Sequence, residues 1–176
     1  MVIHPVNYPA PEFGMAPRSL SAITDFIVHH SAGALTQTPL DIDAEHRGEG
    51  WAMIGYNFVI TPNGEIYEGR PLTVVPSAAY GRNTESLNVV LIGQFQPDAA
   101  AFTGNPTEAQ LLSLRDLCLA MHKKFPSIVR TIGHRDVAPM FYPSDQGDYS
   151  TACPGDRLYA ELPAIRQYVG AHVNTH

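Results

Sequence analysis

Two nearly unbroken apolar runs constrain this chain more than any other feature: Asp25–His30 (DFIVHH) and residues 88–95 (NVVLIGQF). A strand with one solvated face alternates apolar and polar residues. These runs do not alternate, so each demands cover on both faces, as in an interior strand of a helix-flanked sheet. Covering helices are also legible. Thr107 with Gln110 three residues on forms a capping box, and Leu111, Leu114, Leu117, Cys118 and Met121 follow at helical spacing up to Phe125-Pro126. Residues 39–48 read as a second helix, with Leu40, Ile42 and Ala44 facing inward before a glycine-rich exit. Residues 157–169 read as a last helix, with Pro163 at a kink or a helix start.

Between these helices, residues 56–67 (YNFVITPNGEIY) carry a hairpin signal around Pro62-Asn63-Gly64. Residues 128–133 read as a short strand running into His134. Strands and helices alternate irregularly. The expected architecture is α/β: one central mixed β-sheet flanked by helices. At 176 residues and 44% hydrophobic, the chain fits one domain with a full core. Residues 1–20, with Pro5, Pro9, Pro11 and Pro17, read as an extended arm lying on a single domain of residues 21–176.

Charge and cysteine count remove several function classes. Eleven Lys and Arg against seventeen Asp and Glu leave −6, so nothing basic dominates and nucleic acid is not an expected partner. No apolar stretch approaches the roughly 18 residues that would span a bilayer, so no membrane is expected either. The start, MVIHPVNYPAPEFGMAPRSL, has no basic segment followed by an apolar core and does not read as a signal peptide. Two cysteines make a disulfide framework unexpected; Cys118–Cys153 is the one pairing available. On the apolar face of its helix, Cys118 reads as a small buried hydrophobe.

The eight histidines separate by position. His4, His172 and His176 fall in tails, where side chains are solvated. His122 sits late in the long helix, where the dipole favours a cation. His29 and His134 differ, because each ends an apolar strand just before small or polar residues. Strand ends opening into loops are where rigid scaffolds place reactive groups. Cys153 lies comparably, in a loop ahead of a helix. Two imidazoles and one thiolate suit Zn²⁺, and three protein ligands leave a fourth position open for water. Spacing alone leaves a blander alternative open: hydrogen-bonded core histidines and an inert thiol.

The segments FIVHHSAG, GWAMIGYNFVITPNGEIYEGR, LNVVLIGQF, GHRDVAP and TACPGDRLY occur in one order across about residues 23–168. In that order they resemble the zinc-dependent N-acetylmuramoyl-L-alanine amidases, which include T7-type phage lysozyme and the peptidoglycan recognition proteins. The resemblance implies a mixed sheet with helices on both faces and one Zn²⁺ at the floor of a groove. It implies hydrolysis of the amide joining the lactyl group of N-acetylmuramic acid to L-alanine. The implied partner is peptidoglycan muropeptide, engaged by a monomer. The implied setting is a phage endolysin made in host cytoplasm and released to the cell wall, with a bacterial recycling enzyme or a toxin as other settings.

Carried over residue by residue, His29, His134 and Cys153 match the zinc ligands. Alternation turns His30 to the other face of its strand, so it is not a ligand. Tyr56 matches the tyrosine of active members, where a phenol donates to the oxygen that gains charge. Thr151 stands where T7-type enzymes carry lysine and some recognition proteins carry threonine. His46 and Asn83 match substrate-contacting positions. Apart from the resemblance, Asp136 and Asp156 are the nearby carboxylates that could support the ligands, and either reads equally as a helix or turn cap.

Departures from the family pattern matter as well. Val90 stands where some branches use a glutamate base, and Ala78 where many carry a histidine. Residues 140–150 (MFYPSDQGDYS) look inserted, and their Phe141, Tyr142 and Tyr149 suggest either a groove wall or a surface loop. Two other classes compete. A non-catalytic peptidoglycan-binding module conflicts with retained Cys153 and Tyr56. A metal-free thiol hydrolase would use Cys153 as nucleophile and survive chelation.

Overall fold

The structure, a computed structural model, describes residues 1–101, 103–142 and 149–174. Six strands form one sheet: β1 (Ile3–His4), β2 (Asp25–His30), β3 (Phe58–Ile60), β4 (Ile66–Glu68), β5 (Ser86–Leu91) and β6 (Arg130–Gly133). Their spatial order is β1-β4-β3-β5-β2-β6. β2 pairs in parallel with β5 and β6, β3 with β5, and β1 with β4. β3 and β4 are antiparallel, the hairpin that Pro62-Asn63-Gly64 announces. The sheet is therefore mixed, with its parallel part at the centre. Every residue of β2 and β5 is buried, as their unbroken apolar character requires.

Five α-helices follow: α1 (Pro39–Gly48), α2 (Glu108–Lys124), α3 (Val137–Phe141), α4 (Asp156–Tyr159) and α5 (Leu162–His172). One sheet face offers Phe26, Val28, Phe58, Leu87, Val89 and Leu91 to Leu114, Leu117 and Met121 of α2 and Leu162, Ile165 and Val169 of α5. This is the larger core. On the opposite face, Val59 and Val90 pack with Ile42 of α1, Met53 and Ile54, while Ile27 and Ile132 pack with Ala79 and Val137. Removing a ring as buried as Phe26 typically costs about 3–5 kcal/mol.

Local signals are realised with some shifts. The Thr107 side chain accepts from the Gln110 N–H, and the Gln110 side chain accepts from the Thr107 N–H. Thr38 and Asp41 form a second capping box at α1. The inward face of α1 is Pro39, Ile42, Asp43 and His46, whereas Leu40 and Ala44 are exposed. The inward reading of those two is corrected, because the helix turns its polar Asp43 and His46 toward the backbone of residues 54–55. The expected last helix is two pieces, α4 and α5, with Pro163 in the first turn of α5. β5 stops at Leu91; beyond it, Gly93 and Phe95 use their N–H groups on Ser31 and His30. Residues 1–20 contribute β1, which pairs with β4, and Pro17 bridges to Val74.

Both cysteines are free, and Cys118 is buried with its sulfur 3.3 Å from Thr131 Oγ1. His4 is not solvated in a tail; it is half-buried in β1 against Tyr67. Burial lowers the His122 pKa and its ring meets Thr131 Oγ1 at 2.9 Å, so it is not the cation expected near the dipole. His172 is half-buried and stacks on Tyr168. His176 and residues 143–148 of the inserted stretch lie outside the described residues.

Asp25 opens β2 with no exposure, bonded to Arg82 at 2.5 Å and to Arg130. Both guanidinium groups lie over the Phe141 ring. A buried carboxylate survives only with such partners, and removing it leaves charges without a counterpart. Asp25→Ala is therefore expected to lower stability by about 3 kcal/mol, read as a lower guanidinium midpoint with an unchanged slope.

Candidate metal centre

Strand register builds the centre. Val28 of β2 stands opposite Gly133 of β6, so the next residues, His29 and His134, emerge side by side. Their ring centroids are 4.7 Å apart. Cys153 arrives from a loop between α3 and α4 and puts its sulfur 3.7 Å from His29 Nδ1. The ligand atoms of His29, His134 and Cys153 all lie within 4.8 Å of one another. No other such group of metal-capable side chains occurs among the described residues.

These donors fit a zinc ion. Tetrahedral bonds of about 2.0–2.1 Å to nitrogen and 2.3 Å to sulfur place the two atoms roughly 3.6 Å apart, close to the separation found. His29 Nε2 lies 2.9 Å from Asn88 Oδ1, an acceptor that holds the proton there and leaves Nδ1 free to coordinate. Asn88 in turn donates from Nδ2 to Ser86 Oγ at 2.8 Å, which fixes the way its amide points. Burial, and then the neighbouring His134, press the His29 pKa well below its ordinary value. Burial lowers His134 to about 4. Both rings are thus neutral at pH 7, as ligands must be. Burial raises the Cys153 thiol to about 12, so thiolate forms there through coordination rather than by free ionisation.

The Cys153 loop is clamped by the residue next to His134. Arg135 donates its backbone N–H to Cys153 O at 2.8 Å, and its guanidinium bonds the Ala152 carbonyl and Asp156. Gly155 has φ +86°, and a Cβ there would stand 2.4 Å from the Phe95 backbone, so only glycine closes this turn. Of the two readings open for the nearby carboxylates, Asp136 takes the cap and, among the described residues, neither supports a ligand ring. Asp136 accepts from Gly133 N and Tyr159 Oη, and Asp156 pairs with Arg135 and Gln96. Support for His29 comes from Asn88 instead. The signal was present: a lone asparagine inside a run covered on both faces must find a buried partner.

Around the donors stand the remaining candidates. The Tyr56 ring lies 5.0 Å from that of His29, and among the described residues its hydroxyl makes no hydrogen bond. Burial, with the Cys153 sulfur beside it, raises the phenol pKa above its ordinary range, so the proton stays on. Its backbone carbonyl accepts from Arg70 N at 2.7 Å. The buried Arg70 guanidinium also donates to Met53 O, Ile54 O, Val75 O and Ser77 Oγ. Sequence reading missed Arg70 and Arg135; each lies in a motif whose chemistry-bearing residue draws attention first.

His46 is buried behind Tyr56, with ring centroids 5.2 Å apart, and its other neighbour is Trp51 at 4.3 Å. It accepts from Gly55 N at Nδ1, and burial aided by the Arg70 charge lowers it to about 4. Asn83 Oδ1 accepts from both Ala78 N and Ala79 N, shaping the loop ahead of β5. Thr151 Oγ1 accepts from Cys153 N at 3.1 Å. Val90 pairs with His29 across the sheet, and His30 turns away to accept from Phe95 N.

This arrangement, two strand-end imidazoles and a loop thiol beside a protonated phenol, can hold a zinc ion with one position left open. Residues 19–156 match the Amidase_2 family, N-acetylmuramoyl-L-alanine amidase, and the chain belongs to it. It is similar to the endolysin of Escherichia phage T7, 37% identical over 124 residues, covering 69% of this chain and 81% of that protein. The endolysin of Enterobacteria phage T3 is 39% identical over 100 residues, 56% of this chain; the match spans 64% of the phage protein. Of solved structures, the amidase LysC from Clostridium intestinale URNW superposes with a TM-score of 0.77 at 28% identity, covering 97% of this chain and 98% of the other. Peptidoglycan recognition protein-LE, in complex with tracheal cytotoxin (a monomeric diaminopimelic acid-type peptidoglycan), superposes with a TM-score of 0.72 at 27% identity over 92% of both.

Because Asn88 holds the His29 ring, Asn88→Ala is expected to weaken zinc affinity roughly 10- to 100-fold while leaving the fold intact. Competition titration against a chromophoric chelator measures it, with circular dichroism as the control.

Proposed function

We propose that this amidase hydrolyses the amide between the lactyl group of N-acetylmuramic acid and L-alanine in peptidoglycan, using one zinc ion held by His29, His134 and Cys153. The observation that carries the reading is the convergence of three donor atoms, far apart in the chain, within 4.8 Å. When bound there, zinc supplies a Lewis acid for the carbonyl and lowers the pKa of a water at the open position.

The chain's own groups supply the rest. Asn88 keeps the His29 proton on Nε2, so the ring presents a lone pair at Nδ1. Tyr56 donates from its hydroxyl to the substrate oxygen as negative charge grows there, a preorganised donor of the oxyanion-hole kind. Its raised pKa keeps that donor protonated across the working range. His46 backs the Tyr56 ring and limits its rotamers. Thr151 holds the Cys153 N–H through its oxygen and keeps its own proton for a substrate acceptor. Asn83 spends its carbonyl on the 78–79 backbone and turns its amide to the stem peptide. With Val90 opposite His29, no carboxylate base comes from β5.

The setting that suits this chemistry is a lytic enzyme of the phage endolysin kind, reaching the wall from host cytoplasm and acting as a monomer. A metal-free thiol hydrolase is disfavoured, because nucleophilic cysteines carry lowered pKa values and burial raises that of Cys153.

Cys153→Ala is expected to lose both the metal and the release of stem peptide from purified sacculi, with an unchanged circular dichroism spectrum. Full zinc occupancy of that variant by elemental analysis would remove Cys153 from the ligand set. Tyr56→Phe is expected to keep stoichiometric zinc and lower kcat by roughly 100-fold, the size of losing one oxyanion donor. Undiminished turnover would take the phenol out of the reaction.

A further inference from the structure

The inserted stretch brings three tyrosines together on the metal-bearing face of the sheet. Tyr142 follows α3, which leaves His134 through a single turn of helix, and Tyr149 lies four residues before Cys153. Both meet Tyr80, from the loop that Asn83 shapes. Tyr80 and Tyr149 stack at 4.6 Å with an interplanar angle of 19°, and Tyr142 closes on Tyr149 at 5.2 Å. The Tyr142 hydroxyl donates to Tyr80 O at 2.9 Å. Behind them, Tyr142 packs against the cluster of Ile27, Ala79, Ile132 and Val137, and Ile27 shares its strand face with His29 two residues on. The cluster is thus anchored to the scaffold that carries the centre.

Yet its outer surface is open. Tyr80 is 62% and Tyr149 39% exposed, an unusual display for stacked aromatic rings. From these observations we propose that Tyr80, Tyr142 and Tyr149 form a saccharide subsite, stacking on an uncharged N-acetylhexosamine ring of the glycan next to the muramic acid being cleaved. The proposal rests on the amidase reading above. Charge chooses the sugar over the stem peptide. A stem bearing carboxylates calls for a cation, and the guanidinium nearest these rings, Arg82, is committed to Asp25 and to the Phe141 face. Among the described residues the other charge acting on Tyr142 is Glu85, an anion that opposes a carboxylate, and the rings themselves offer π-faces for sugar C–H groups and phenolic hydroxyls for the acetamido and hydroxyl groups. The Tyr142–Tyr80 hydrogen bond and the ring contacts fix the platform before ligand arrives, which reduces the entropy lost on binding.

Two measurements on the zinc-loaded protein test this. The first compares kcat/KM for N-acetylglucosaminyl-N-acetylmuramoyl-tripeptide with that for N-acetylmuramoyl-tripeptide. The wild type should prefer the disaccharide about five- to tenfold, through KM. Tyr149→Ala and Tyr80→Ala should each bring that ratio close to one, and Tyr149→Trp should restore it. A ratio near one in the wild type, or one untouched by both alanine variants, overturns the proposal. The second titrates tri-N-acetylglucosamine, which carries no scissile amide, into ¹⁵N-labelled protein. Shifts at Tyr80, Tyr142 and Tyr149 that vanish in Tyr80→Ala support the subsite, and absence of shifts overturns it. If the wild type cleaves neither muropeptide, the amidase reading fails, and the trisaccharide titration still decides the subsite.

Discussion

The parallel pairing of β2 with β6 is the constraint on which the site depends. Val28 opposite Gly133 delivers His29 and His134 to one point, because both strands run the same way and end at the same edge. A sheet has a side-chain period of two, so a slip of one residue would send His29 to the α2 and α5 face and bring His30 up in its place. Register is held by burial: Ile27 and Ile132 must meet Ala79 and Val137 on one face, and Phe26 and Val28 must enter the larger core on the other. The same forces that fold the sheet therefore set the separation of two donor atoms.

Loops complete what the strands begin, and buried arginines organise them. Arg70 gathers carbonyls from residues 53, 54 and 75 and so fixes the segment carrying Tyr56. Arg18, from the N-terminal arm, does the same for Leu72 O, Asn83 O and Ser86 O. Arg135 ties residues 152 and 153 to the strand end. A planar guanidinium offers five donors in a fixed fork, against three on a rotating lysine ammonium, and so holds several loop carbonyls in one geometry. These residues shape the site without touching its chemistry.

Much of this was legible beforehand, and the misses share a cause. The apolar runs, the Thr107 capping box and the hairpin around Asn63-Gly64 are short-range signals, and the structure realises them. Leu40 and Ala44 were misplaced because a helix with mixed polar and apolar residues has no single face until its neighbours are known. Nearness in sequence leaves Asp136 and Asp156 open as supports or caps, whereas Asn88 reaches His29 from the adjacent strand, 59 residues away. His122 was read from its helix alone, and the strand packed against it decided its state. Each error assigned a long-range contact from local information.

By itself, the sequence determined the layered α/β plan, because unbroken apolar strands can exist only between two covering layers. It also supplied two imidazoles and a thiol of the kind that suit a zinc ion, along with the family motifs in their order. Tertiary structure alone decided which atoms converge, which nitrogen of His29 is free, and which residues hold the Cys153 loop. It also decided that Tyr142 and Tyr149 meet Tyr80. The reason is physical: burial preference is a property of each residue, whereas a coordination site is a property of distances between residues that only the packed sheet and its loops define.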